Sequence, residues 1–262
     1  RSTLFPYTTL FRSTRLSETS IRWNFTDNEN NELGYRVYDA DGVQVAECVG
    51  TNLTSCIEYG MTPNTQYTRK IAAYNNTGRG DYSDTLTRYT AASVPQFTSV
   101  EAPSSTTVKI VLNSNGNPTN TLFQIREVVS GLRVGNLNNA NGTLVNSDVW
   151  YTYNDLGGSN GVFVNELFAN AEYIFEVVAK DGEDTITSAS SQSTIYTLAV
   201  TTAAPTLTAL SDSRLKVVVD NGGNPAITTF SLRDVKSSKY FNYSNGLWQD
   251  SPVWGTDRKS VV

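Results

Sequence analysis

Residues 108–128 read VKIVLNSNGNPTNTLFQIREV, and residues 215–235 read LKVVVDNGGNPAITTFSLRDV. The two stretches align without a gap at an offset of 107 residues, and the residues that recur unchanged include Lys109, Asn117, Pro118, Phe123, Arg126 and Val128. Apolar and polar residues alternate on both sides of the Asn-Pro turn, as they do in half-buried β-strands. A fixed period of about one hundred residues in strand-forming sequence predicts tandem β-domains instead of one large catalytic unit.

Two further repeats extend this period along the chain. MTPNTQY at residues 61–67 is matched by LFANAEY at residues 167–173. NGTLVNSDVWYT at residues 141–152 is matched by NGLWQDSPVWGT at residues 245–256. The second match follows the Asn-Pro turn in both copies, so the third copy repeats the second one in order.

These repeats divide the chain into three units. Short linkers lie between them, TAASVP before the second unit and TTAAP before the third. Such short linkers predict modules strung head to tail with limited freedom. We expect the first unit at residues 14–92, the second at 95–202 and a truncated third at 205–256.

The first unit carries the clearest strand signals. SIRWNF, GYRVY and SCIEY alternate apolar and polar residues, and DADG at residues 39–42 is a hairpin signal. No capping residue precedes an apolar period of 3.6 residues, so no helix is expected. The strands are predicted at residues 20–25, 34–38, 55–59, 68–74 and 82–90.

The pattern of the first unit resembles a fibronectin type III domain. Trp23 lies on an early strand, Tyr67 ends MTPNTQY, and a Gly-rich loop precedes Tyr82. The resemblance implies an all-β, immunoglobulin-like sandwich with Trp23 in its core. It also implies that Tyr67 is the corner tyrosine, whose hydroxyl bonds to nearby backbone, and that Tyr173 has this role in the second unit. The repeated strand pair followed by NG and VW is similar to modules of large secreted or surface proteins of bacteria.

Both ends of the chain resemble translated sequencing adapter. TLFPYTTLFRS occupies residues 3–13, and DRKSVV occupies residues 257–262. We therefore expect residues 1–13 and 257–262 to be non-native, and the sequence between them to be a fragment of metagenomic origin. The first unit should then lack its first edge strand, and the third unit, which has no counterpart of residues 162–179, should be poorly folded.

Composition argues against an enzyme. The chain of 262 residues contains no His, which is the commonest general base and metal ligand, and its two Cys cannot build a four-ligand zinc site. Acidic pairs such as Asp39 with Asp41 lie in turns and lack calcium-loop spacing. The net charge of −5 without a basic block argues against nucleic acid, and no apolar run is long enough for membrane insertion. We expect no catalytic residue, no metal and no cofactor.

Cys48 and Cys56 are eight residues apart, at facing ends of two consecutive predicted strands. A disulfide between them would contribute about 2.5 kcal/mol in the chain-entropy model. It would also indicate an oxidising compartment, and hence a secreted or cell-surface protein. The alternative is two buried free thiols.

Two groups of residues are candidates for binding. Arg79, Gly80 and Asp81 spell RGD in the loop where animal fibronectin modules can present an integrin-binding tripeptide, although chance would also produce it. Trp150 and Tyr151 lie in an Asn- and Gly-rich insertion at residues 133–160, where they would either stack on sugar rings or pack in the core.

Three functions follow from these observations. The first is a non-catalytic structural spacer, formed by a monomeric array of modules. The second is an adhesion module that binds a carbohydrate or a cell-surface protein. The third is an accessory region of a secreted polysaccharide-degrading enzyme.

Overall fold

The computed structural model of the chain describes residues 11–27, 31–256 and 260–261. Of the two end segments that resemble adapter, residues 1–10, 257–259 and 262 lie outside this description. β-strands make up the regular structure of the described residues, apart from a 3-10 turn at Gly158–Asn160. The chain is all-β, as expected, and its strands form several sheets.

The first unit is a sandwich of two antiparallel sheets. One sheet has the order β1-β2-β5, and the other has the order β4-β3-β6, with β7 and β8 also paired to β6. Alternation in β2 and β3 turns Ile21, Trp23, Tyr35 and Val37 inward, where all four are fully buried. The strands are β1 Arg12–Ser17, β2 Ser20–Asn24, β3 Gly34–Tyr38, β4 Gln44–Val49, β5 Ser55–Tyr59, β6 Gln66–Asn75, β7 Gly78–Arg79 and β8 Leu86–Tyr89.

The first unit has the edge strand that it was expected to lack. β1 pairs antiparallel with β2 along its length, and the Phe11 ring lies 5.8 Å from the Trp23 ring. The expectation of a missing strand was therefore wrong. RSTRLS alternates in exposure, and ladder hydrogen bonds use backbone groups, so this sequence serves as an edge strand whatever its origin.

The second unit closes in a different way. Its strands form one continuous path, in the order β17-β16-β11-β12-β13-β15-β10-β9, with β14 paired to β11. The insertion forms the hairpin β12–β13, and β13 pairs in parallel with β15, so the hairpin joins the two sheets. The strands are β9 Gln96–Glu101, β10 Val108–Asn113, β11 Leu122–Glu127, β12 Arg133–Asn138, β13 Asn141–Val145, β14 Tyr151–Thr152, β15 Val162–Val164, β16 Glu172–Lys180 and β17 Ser193–Tyr196.

The third unit consists of small separate sheets. β19 pairs with β18 and β24, β20 pairs with β23, and β21 pairs with β22. Its apolar side chains are largely exposed, in contrast to the continuous cores of the first two units. The strands are β18 Thr206–Ala209, β19 Leu215–Val218, β20 Thr229–Phe230, β21 Tyr240–Asn242, β22 Leu247–Gln249, β23 Gly255–Thr256 and β24 Ser260–Val261.

Candidate functional site

Two tyrosines fix the corner loops, which we define as residues 60–65 before β6 and residues 165–171 before β16. The Tyr67 hydroxyl accepts a hydrogen bond from the Thr62 N–H at 2.8 Å. The Tyr173 hydroxyl accepts one from the Phe168 N–H at 2.9 Å. Both bonds span five residues, so each tyrosine holds the corner loop that precedes its own strand.

Trp23 is fully buried in the first core and takes part in a polar network. Its Nε1 donates to Glu58 Oε2 at 3.0 Å. The Arg69 guanidinium donates to the same carboxylate through Nε at 2.9 Å and through Nη2 at 2.6 Å. Glu58 and Arg69 are 5% and 8% exposed, and they belong to different sheets, so this ion pair ties the two layers together. The sequence contained no signal for it, because Glu58 lies in an ordinary alternating strand.

Cys48 and Cys56 form a disulfide, with their Cα atoms 5.6 Å apart. The expected pairing is confirmed, and the alternative of two free thiols is excluded. β4 carries Cys48 and β5 carries Cys56, so the bond joins the edges of the two sheets. Cys56 and Glu58 are two residues apart in β5 and both are buried, so the disulfide and the ion pair lie on the same face of this strand.

The RGD tripeptide lies beside β6. The Arg79 guanidinium stacks 3.7 Å from the centroid of the Tyr82 ring and donates to the Gly80 carbonyl at 2.7 Å. The Gly80 N–H in turn donates to the Ala73 carbonyl at 2.9 Å. A partner of this tripeptide would have to compete with the Tyr82 ring for the guanidinium. The suggestion that Arg79, Gly80 and Asp81 bind a cell-surface protein stays a prediction.

Trp150 and Tyr151 of the insertion are half-buried, and both contact residues of the second unit. Lys180 Nζ lies 5.0 Å from the centroid of the Trp150 ring, and Tyr151 pairs with Phe123 and packs on the second core. Hydrogen bonds from the Gln124 and Trp150 side chains hold the pKa of the Asp148 carboxyl below its usual value. A shallow depression of about 370 Å³ beside Tyr151 is lined by Leu137, Asn139, Ala140, Tyr151, Asn154 and Asp155.

The third unit presents its matching tryptophan differently. Trp254, the counterpart of Trp150, is 65% exposed. The two copies therefore do not share one packing role, and Trp150 alone combines a cation on its ring with a partly buried edge. Whether Trp150 and Tyr151 hold a sugar ring stays a prediction.

The first and second units touch through a charged contact that sequence reasoning missed. Arg15 in β1 is paired with Asp181, and its Nη2 donates to Thr185 Oγ1 at 2.8 Å. Arg88 in β8 lies 3.0 Å from Glu183. All of the acceptors belong to residues 181–185, the loop that follows β16, so one loop of the second unit holds two strands of the first.

Close packing accompanies these ion pairs. The Tyr89 N–H donates to Glu183 Oε1 at 3.2 Å. A Cβ on Gly182 would lie 2.3 Å from the Tyr89 ring, so only glycine permits this approach. The contacting residues are more than ninety positions apart in the sequence, and alternation within strands carries no signal for them.

Chemistry in the described residues is sparse. No group of three or more His, Cys, Asp and Glu side chains among them could hold a metal ion. Among the buried carboxylates, Glu58 binds Arg69, and Glu127 accepts from backbone and Ser130 donors. Asp181 is paired with Arg15, and Glu32 Oε1 accepts from the Asn52 N–H. The structure includes no helix, within the same residues, that is long and apolar enough to cross a membrane.

Comparisons with known proteins gave structural neighbours only. No protein-family model matches the chain, and no curated protein matches it. A segment of two fibronectin type III domains from chicken tenascin is 14% identical, with a TM-score of 0.47, over 71% of this chain and 95% of that one. The FN1–FN3 domains of chicken CNTN1 are 19% identical, with a TM-score of 0.30, over 73% and 67% of the two chains. A family 28 exopolygalacturonase of Yersinia enterocolitica is 15% identical, with a TM-score of 0.28, over 34% and 20%.

Proposed function

We propose that the chain is a non-catalytic spacer, an array of fibronectin type III-like modules in a secreted or cell-surface protein. In this proposal the modules are residues 14–92, extended to the start of β1 at Arg12, residues 95–202 and residues 205–256. The observation that carries the proposal is the end-to-end contact of the first two units. Arg15 and Arg88 of one unit meet Asp181 and Glu183 of the next, so the modules follow each other in a row.

Two further observations support this role. The Cys48–Cys56 disulfide suits an oxidising compartment outside the cytoplasm. The buried charged groups, Glu58 with Arg69, tie one sheet to another and are saturated by their partners, so they contribute to the closure of a module.

A carbohydrate-binding module is the second candidate. The depression beside Tyr151 favours it, because sugar rings stack on aromatic faces at shallow polar sites. Lys180 lies over one face of the Trp150 ring, so a sugar would stack on the opposite face of that ring. The depression is open and holds about 370 Å³, so it would suit one or two sugar residues.

One pair of measurements separates the two candidates. A spacer predicts an elongated particle in small-angle X-ray scattering, with the cross-section of one sandwich, and no retention on a glycan array. A carbohydrate-binding module predicts retention that Trp150→Ala abolishes and that Trp254→Ala leaves unchanged. Retention with that pattern would overturn the spacer proposal, as would a compact particle with the units folded back on each other.

A further inference from the structure

Two asparagine side chains bind the linker between the first two units: Asn115 Nδ2 donates to the Val94 carbonyl at 3.0 Å, and Asn117 binds Ser93. Asn117 Oδ1 accepts from the Ser93 N–H at 2.9 Å, and its Nδ2 donates to the Ser93 carbonyl at 2.8 Å. The same Nδ2 donates to the Ser114 carbonyl at 2.7 Å. Asn117 is 6% exposed. Its amide thus pairs with both backbone groups of one linker residue, as a neighbouring strand would.

Val200, the residue directly before the second linker, is held in the same way, 107 residues later. Asn224 Oδ1 accepts from the Val200 N–H at 2.7 Å, and its Nδ2 donates to the Val200 carbonyl at 2.9 Å. The third bond also recurs, from Nδ2 to the Asn221 carbonyl at 2.7 Å. Every partner is shifted by the 107-residue offset of the sequence repeat, so this hydrogen-bonding pattern recurs with the repeat.

A second contact joins the corner loop to the same turn. Asn64 Nδ2 donates to Thr121 Oγ1 at 2.8 Å at the first junction. Asn170 Nδ2 donates to Thr228 Oγ1 at 2.7 Å at the second junction. At the first junction Asn64 Oδ1 also accepts from the Gly182 N–H at 2.8 Å, so one amide bridges two loops of the following unit.

The local sequence explains why this turn suits the task. A residue before proline is restricted to extended backbone, so Pro118 orients the Asn117 side chain before docking. The Thr121 N–H donates to the Pro118 carbonyl at 3.0 Å, and the Thr228 N–H donates to the Pro225 carbonyl at 2.9 Å. Aspartate lacks the donor that the carbonyls need, and glutamine places its amide one bond too far out.

We propose that Asn-Pro-X-X-Thr, between the second and third strands of a unit, is a docking motif for the preceding unit. Its partner is the end of a unit of the same kind. That end supplies an asparagine in its corner loop and the backbone of one further residue, which is Ser93 at the first junction and Val200 at the second. The inference rests on the proposed spacer function and adds that the array is stiff. Neighbouring domains move relative to each other by default, and this motif holds them in one repeated orientation.

The corner asparagine allows a clean test in the full chain. Asn64 has a φ of 43°, and Asn139, on the exposed turn of the insertion hairpin, has a φ of 49°. Glycine tolerates both conformations, so Asn64→Gly removes the bridging amide without strain and Asn139→Gly is its matched control. The measurement is residual dipolar couplings of the backbone amides, analysed separately for the first and second units.

The native chain and Asn139→Gly are expected to align as one body, with equal alignment magnitudes in the two units. In Asn64→Gly the magnitudes should differ by about twofold or more, because the first junction loses both hydrogen bonds of the Asn64 amide and the units then move more freely. Unequal magnitudes in the native chain would overturn the proposal. Equal magnitudes in Asn64→Gly would overturn it as well.

Two more variants test the pairing and its location. Thr121→Val keeps the shape of the buried side chain and removes the acceptor, so it should loosen the first junction, and Asn64→Gly together with Thr121→Val should add little. Fully additive effects would contradict a direct Asn64–Thr121 contact. Asn170→Gly should leave the coupling of the first two units unchanged, and a loss of that coupling would contradict a local motif.

The outcome is separable from that of the spacer proposal. If the junctions are mobile in an elongated chain that binds no glycan, the docking motif is overturned and the spacer proposal stands. Trp150-dependent glycan retention by a chain with one alignment tensor would remove the spacer and leave the motif.

Discussion

β10 and β19 are two copies of one strand, yet they differ in burial. Val108 in β10 is fully buried, whereas its counterpart Leu215 in β19 is 39% exposed. β10 lies between β9 and β15 and packs on a core that includes Phe175 and Val177 of β16. β19 pairs with β18 and β24, and it buries only Val217, whereas β10 buries Val108, Ile110 and Leu112.

The comparison separates strand formation from core formation. The alternating sequence and the Asn-Pro turn produce the strand in both copies. Burial requires the strands of the opposite sheet, which the second unit has. The third unit instead exposes apolar side chains, among them Ile227 and Val235, at 75% and 85%. Such a face gains little of the free energy that burial supplies to a closed sandwich.

Hydrogen exchange should show the largest difference between the two copies. Amides of β10 are expected to exchange through unfolding of the whole second unit, and those of β19 through local opening. The protection of β19 should be lower by about a thousandfold or more, because local opening costs much less free energy. Equal protection of the two strands, measured by NMR or mass spectrometry, would show that the third unit has a closed core.

Truncating the shared phenylalanine should sharpen the contrast. Phe123 is fully buried, and Phe123→Ala should destabilise the second unit by about 3 to 5 kcal/mol through lost burial and a cavity. Phe230→Ala, at the half-buried matching position, should cost much less. Urea unfolding followed by circular dichroism measures both. Equal shifts in the unfolding midpoint would contradict the difference in packing.

The buried Glu58–Arg69 ion pair joins the two sheets of the first unit, and Glu58→Gln removes its negative charge. The variant should destabilise the first unit by about 3 kcal/mol, because it leaves the buried Arg69 without its counter-charge. Glu47→Gln is the matched control, since it breaks the exposed pair with Arg36 and should change stability little. Similar unfolding midpoints for the two variants would show that the buried pair does not support closure.

The smallest effect is expected from a carboxylate that recurs in the repeat. Glu127 accepts from the Ser130 N–H at 2.6 Å, and Asp234 accepts from the Ser237 N–H at 3.0 Å. Burial by itself raises the pKa of Glu127, but bonds from Ser130, Ile174 and Val129 outweigh it and lower that pKa. Bonds from the Ser237 side chain and backbone likewise lower the pKa of Asp234.

A lowered pKa in the folded state stabilises the fold above the unfolded-state pKa, which is about 4.3 for glutamate. That contribution is lost as the pH falls through the folded-state pKa. Glu127→Gln should therefore cost about 1 to 3 kcal/mol at neutral pH and flatten the acid side of the stability curve. Asp234→Asn should flatten that curve less, because Asp234 is more exposed than the buried Glu127 and solvent weakens its interactions. Urea midpoints across the acidic range measure this, and equal flattening by both variants would contradict it.

Local sequence was sufficient for much of the fold. β3 and β5 have the predicted bounds, residues 34–38 and 55–59, because alternation and flanking turn residues are local signals. The hairpin β12–β13 was not predicted, because Asn- and Gly-rich sequence has low strand propensity and the pairing is made by backbone groups. The prediction that the first strand is missing was wrong for the same reason. β1 forms because its backbone groups pair with the edge of β2.

The candidate site was less accessible to sequence reasoning. The cysteine pair could be predicted, because eight residues across a strand pair suffice to bring the sulfurs together. The Glu58–Arg69 pair and the loop at residues 181–185 could not be predicted. Their partners are charged residues in ordinary strands, and nothing local distinguishes a buried or docked charge from a solvated one.

By itself, the amino-acid sequence determined the repeat and the strands on both sides of the Asn-Pro turn, and it predicted the cysteine pairing with free thiols as the alternative. These depend on side-chain alternation and on spacing over a few residues. Only the tertiary structure decided that Asn117 meets Ser93, that Asn64 meets Thr121 and that one copy of the strand is buried. Such contacts depend on how sheets stack and on how one unit is oriented on the next, and the pattern along a single strand does not encode either.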